Sequence, residues 1–257
     1  MPLETITSLL IALLFAAIFL FGGQWAYRPG QKGRRRFLSF AAGIAVAYVF
    51  VDVLPALGRM RDIVMQTPGY FRRLFPEYSV YLWALAGFLV FYCLETLVVR
   101  PRSGSAHHAG AHPDTPAWQA WVHIGGFAAY TGLLSYLMVW KRQAPLTLFI
   151  YAVAMGMHLF PIACDLRGHY TAVYDRRGAL LLALASVAGW GAGLALAIPA
   201  PLLANLVAVV AGGVIVNTAI AELPKEGEGR QGAFLTGALV YTALLLMLSH
   251  FEKAGEG

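Results

Sequence analysis

The stretch PLLANLVAVVAGGVIVNTAIAEL, residues 201–223, decides the fold. It carries a single charged residue, Glu222, near its end, and its apolar residues fill the segment instead of following an amphipathic stripe. Crossing a bilayer as a helix takes about 20 largely apolar residues. A helix also satisfies all its own backbone polar groups, as hydrocarbon demands. Blocks of the same kind lie near 5–26, 37–57, 78–99, 118–140, 145–166, 177–198 and 231–251, giving eight in all. The expected fold is therefore all-α, a polytopic membrane protein of about eight transmembrane helices in one transmembrane domain over residues 1–257. Composition agrees: 59% of the chain is hydrophobic and 12% charged, against roughly 25% charged in soluble domains.

The first block is too long for a signal peptide, lacks a basic start, and is followed by Gln24, Trp25, Ala26 and Tyr27, an aromatic interface in place of a cleavage site. It reads as a span. The two cysteines, Cys93 and Cys164, fall inside blocks and form no CxxC pair. They are expected to be small buried residues outside redox or zinc chemistry.

The net charge of +6 follows the topology and implies no nucleic-acid partner. Loops after the odd spans carry Arg28, Lys32, Arg34, Arg35, Arg36, Arg100, Arg102, Arg167, Arg176, Arg177, Lys225 and Arg230. The opposite side carries Arg59, Arg61, Arg72, Arg73, Lys141, Arg142 and Lys253. By the positive-inside rule the odd loops face the cytoplasm and both termini lie outside, across a cell inner membrane. The cytoplasmic loop at 100–117 holds His107, His108 and His112, a spacing that can bind a borderline metal loosely.

Ionisable groups at membrane depth cost at least about 3 kcal/mol each near the centre, and so mark candidate sites. They are Asp52, Glu95, His123, His158, Asp165 and Glu222, with Tyr130, Thr131, Asn205 and Asn217 as neutral companions. His158 lies at the middle of its span, and Pro161 frees the carbonyl of Met157 beside it. Asp165 follows His158 by two helical turns, so both share a face. His123 and Tyr130 repeat that spacing on the preceding span, beside Gly125 and Gly126. These four residues form the candidate substrate or metal pathway, with His123, His158 and Asp165 as metal ligands. Asp52, Glu95, Asn217 and Glu222 are candidate polar support, and helical spacing suggests that Glu95 pairs with Arg100. Asp52-Val53-Leu54-Pro55 and Glu222-Leu223-Pro224 end spans 2 and 7 in the same way, and such echoes between oppositely directed helices point to an inverted repeat.

These residues resemble motifs of the ZIP (Zrt/Irt-like) metal transporters. Asp52-Val53-Leu54-Pro55-Ala56 is similar to that family's His-Leu-Leu-Pro-Glu, and Leu94-Glu95-Thr96-Leu97 to its Leu-Glu-His-Leu. Ala221-Glu222-Leu223-Pro224-Lys225-Glu226 resembles its Leu-Pro-Glu ending, and His158-Leu159-Phe160-Pro161 its His-Glu-x-Pro-Glu. The resemblance implies a 3+2+3 inverted-repeat bundle and transport of a divalent metal such as zinc, as substrate and not as a fixed cofactor, with a homodimer as one assembly. The metal-site chemistry departs from the family pattern. Leu159 and Ile162 stand where span 5 should carry carboxylates, and His123 is followed by Ile124 instead of asparagine. A binuclear zinc site lacks its charge here, and a mononuclear set of His123, His158 and Asp165 is what remains. No HExxH or GxSxG motif suggests an enzyme. The alternative to transport is a ZIP-fold scaffold or sensor without the metal site.

Overall fold

The computed structural model describes residues 3–25, 31–66, 77–99, 117–140, 145–219 and 231–255. His107, His108, His112, Arg100 and Glu222 lie outside the described residues. Helices α1 (Leu3–Ala17), α2 (Gln31–Tyr48), α3 (Leu54–Gln66), α4 (Ser79–Val99), α5 (Ala117–Trp140), α6 (Pro145–Val173), α7 (Ala179–Ala195), α8 (Ala200–Asn217) and α9 (Gln231–Gly255) follow in order, with no strand among the described residues. Six helical runs have the length and apolarity to cross a membrane, and Gln231–Met247 is a shorter apolar helix. Leu10, Leu14, Leu82, Leu89, Leu239 and Leu246 are exposed on α1, α4 and α9. Water would not tolerate so large an apolar perimeter, and hydrocarbon does. This is an integral membrane protein.

Two runs differ in extent from the apolar blocks. The second continues past residue 57, through Pro55 to Gln66, as α2, a π turn over Val49–Val53, and α3. Proline cannot donate to the carbonyl four residues back and crowds it. A widened turn just before it makes room, which is a common site for a π-bulge. The second case is Thr147–Ala195, 49 residues of helix that span two predicted blocks. At 1.5 Å per residue this run is about 74 Å long, more than twice a hydrocarbon core. It folds back on itself. Tyr170 leaves helical geometry at φ −130°, ψ 40°, and a π turn over Tyr174–Gly178 follows.

The fold-back is read from α1, which both arms touch. Along α6, Tyr151 packs against Phe15 and Phe160 against Gly22, and Arg167 donates to the Gly23 carbonyl, so α6 runs parallel to α1. Along α7, Tyr174 donates to the Phe19 carbonyl, Ser186 to the Ala12 carbonyl, and Trp190 to the Ser8 hydroxyl, so α7 runs antiparallel to it.

The tightest packing is between α4 and α8, α5 and α7, and α2 and α9. Each pair meets at glycine. A Cβ on Gly212 would strike the Ala84 carbonyl and come within 2.6 Å of the Phe88 amide nitrogen, and one on Gly87 would strike the Val209 carbonyl. Gly43 and Gly237 stand in the same relation to the Phe234 and Phe40 carbonyls, as does Gly189 to that of Gly132. Without a hydrophobic drive between helices in lipid, close backbone approach at small residues holds such pairs together.

Candidate functional site

Polar groups buried among α4, α5 and α6 lie in sequence order along the helices. His158 on α6 is fully buried, and its Nε2 lies 2.9 Å from the Tyr130 hydroxyl on α5. The hydroxyl donates when the ring proton sits on Nδ1. Phe91 of α4 and Phe127 of α5 pack their edges on Tyr130, with centroids at 5.1 and 6.3 Å, and shield this bond.

Two turns earlier on α5, His123 faces a different partner. Its Nε2 lies 3.5 Å from the Glu95 carboxylate, and both side chains are buried. That distance suits an ion pair better than a well-formed hydrogen bond. Phe127 and Tyr170 wall the imidazole at 5.1 and 5.7 Å. Neither His123 Nδ1 nor the Tyr170 hydroxyl has a hydrogen-bond partner among the described residues.

Asp165 is turned outward. Its carboxylate lies 3.3 Å from His169 Nδ1, one turn on, and both are well exposed. The bond to Asp165 raises the His169 imidazole from 6.5 to about 9, against a smaller opposing effect of burial. Arg167 grips Asp175 through two bonds of 2.7 and 2.9 Å, which hold that carboxyl below its usual range. The Asp165–His169 contact sits one residue before the Tyr170 break, and so it braces the fold-back. A raised folded-state value stabilises fully below the unfolded value of 6.5, and its contribution fades as pH rises through about 9. Amide exchange across 165–178 should therefore quicken between pH 6.5 and 9 beyond its intrinsic base dependence. Asp165→Asn should remove that excess, and a variant showing it unchanged would sink the assignment.

Toward the opposite end of α5 lies a cavity of about 50 Å³, bounded by Tyr48, Asp52, Met138, Tyr151, Val210 and Val214. It has room for a small number of waters. Asp52 belongs to the π turn and lies 3.9 Å from Arg59. Tyr151 spends its hydroxyl on the Leu134 carbonyl at 3.2 Å.

Of the four residues expected on one pathway, Tyr130 and His158 meet directly, His123 pairs with Glu95, and Asp165 faces His169. Among the described residues no three His, Cys, Asp or Glu side chains are grouped to hold a metal ion, so His123, His158 and Asp165 do not form a mononuclear site in this conformation. Asn217 is fully buried at the end of α8, with neither amide atom bonded among the described residues. The His123–Glu95 pair is absent from the sequence reading, although a signal for it exists. Both residues lie about one to two turns from helix ends joined by the same loop, and so at similar depth. Comparison with known protein families and with curated proteins returns no match for this chain.

Proposed function

We propose that this chain is a ZIP-like transporter of eight spans in a 3+2+3 arrangement, moving a small cation, with a divalent metal such as zinc as the leading candidate. The observation that carries this reading is a symmetry in the packing. Exchange α1 with α7, the α2–α3 run with α8, α4 with α9, and α5 with α6. The α4/α8 pair then becomes α9/α2, the close α5/α7 pair becomes a looser contact of α6 with α1 and its continuation to Trp25, and the α1/α7 and α3/α8 contacts map onto themselves. Inverted repeats that enclose a pair of central helices place substrate sites at their interface. In this protein that interface holds Tyr130, His158 and the Asp52 cavity. The polar groups are spaced along α5 and α6 instead of clustered, which suits a cargo handed between few ligands at a time. With the arginine-rich loops cytoplasmic, the Asp52 cavity opens toward the outer side and Glu95 lies toward the inner.

The test is uptake of zinc by proteoliposomes. His158→Ala should lower uptake by about tenfold or more, and Tyr130→Phe less. Uptake that ignores His158→Ala rejects this pathway. The scattered ligands favour one alternative, a scaffold or sensor of the same fold. A purified protein that neither binds nor moves a transition metal would establish that alternative.

A further inference from the structure

On the outer surface of the bundle, a groove of about 510 Å³ runs between α1 and α6. Leu10, Leu14 and Ile18 form one wall, Phe160 and Phe37 close one end, and Gly156 lies in its floor. We propose that this groove holds one acyl chain of an anionic phospholipid, with the phosphate on Arg36.

The lining excludes a polar ligand. Its one hydroxyl, on Thr7, is already spent on the Leu3 carbonyl at 2.9 Å. Nothing else there can bond a water or a headgroup, so the occupant is hydrocarbon. From Thr7 to Ile18 the groove is about 16 Å long. One chain fits.

Depth comes from the missing side chain at Gly156, where a Cβ would meet only Ile18 Cδ1, at 3.5 Å. A larger residue there would project into the groove without disturbing backbone. The closed end gives the headgroup its place. Phe37 and Phe160 meet edge to face at 5.2 Å. Arg36, adjoining Phe37, is exposed, and no described carboxylate pairs with it. An exposed guanidinium one residue from the end of an apolar slot would match a phosphodiester in charge and in its paired donors, and basic residues at a membrane surface select anionic lipids.

Native mass spectrometry of the full-length protein tests this, with phosphatidylglycerol and phosphatidylcholine of matched chains as probes. The wild type should retain one phosphatidylglycerol per chain, and Gly156→Leu should weaken retention about tenfold. Arg36→Gln should reduce phosphatidylglycerol to the level of phosphatidylcholine. Gly125→Leu, at a position with open space around it, should leave retention unchanged. Equal retention by wild type and Gly156→Leu overturns the site, and no headgroup preference in the wild type overturns the role of Arg36. A dimer that Gly156→Leu dissociates would give the groove to a second copy instead. Photolabelling of the unsubstituted protein by phosphatidylglycerol with a mid-chain diazirine needs no variant. Label should concentrate on residues 7–18 and 149–160, and label spread evenly over α4 and α9 would also overturn the proposal.

Discussion

Gly212→Ala should cost about 3 kcal/mol of stability, at the upper end of what overpacking costs, although alanine is the better helix former by about 1 kcal/mol. The added methyl group would meet the Ala84 carbonyl and the Phe88 amide, which are backbone atoms with no rotamer to escape into. α4 would have to move away from α8 along their whole contact, losing dispersion over many side chains. Gly43→Ala and Gly237→Ala should behave alike, because each meets a carbonyl across the α2/α9 crossing. Gly125→Ala supplies the control, since a Cβ there has nothing within 4 Å. Thermal unfolding in detergent separates the cases. A Gly212→Ala protein that melts with Gly125→Ala would mean that α4 and α8 do not approach this closely.

The membrane character of the chain was legible in the sequence because hydrocarbon imposes one requirement on every residue of a block. Helix ends were less legible, since a turn inside helix costs little when a π-bulge absorbs it, as before Pro55 and after Tyr170. The proposed repeat has more support in the sequence than the two Leu-Pro endings alone. The same spacing separates Gly43 from Gly212, Leu54 from Leu223, Pro55 from Pro224 and Gly58 from Gly227. Likewise Gly87-Phe88-Leu89-Val90-Phe91 is echoed by Gly237-Ala238-Leu239-Val240-Tyr241. Gly43, Gly87, Gly212 and Gly237 of these echoes sit at the close crossings of the α2/α9 and α4/α8 pairs. In this register of the sequence the prolines align, but Glu222 falls opposite Val53, so the acidic residues flanking Leu-Pro do not.

The site was harder to read, for a physical reason. Spacing on one helix fixes which side chains share a face, but not which neighbouring helix that face meets. His123 and Tyr130 do share a face of α5, yet its two ends look onto different helices, toward Glu95 of α4 and His158 of α6. Asp165 and His158 share a helical face as well, but the Tyr170 break is near, and Asp165 bonds to the local His169. The candidate residues were found by their cost in hydrocarbon, whereas their partners depended on packing.

That cost gives the second large effect, at Glu95. The carboxylate and the His123 imidazole lie 3.5 Å apart in a pocket walled by Phe127 and Tyr170, and His123 has no other partner among the described residues. Whichever group holds the shared proton, removing one partner strands the other in a dry site. Breaking such a buried pair costs about 3–5 kcal/mol, whereas replacing both members by apolar residues of similar volume is often neutral. Glu95→Leu alone should therefore destabilise more than the Glu95→Leu, His123→Leu double variant, by about 2 kcal/mol or more. Glu95→Gln, which keeps an acceptor facing Nε2, should fall between wild type and Glu95→Leu. Chemical denaturation of the four proteins completes a double-mutant cycle. Additive losses would show that the two side chains are neighbours without being partners, and Glu95 would then be held by something other than His123.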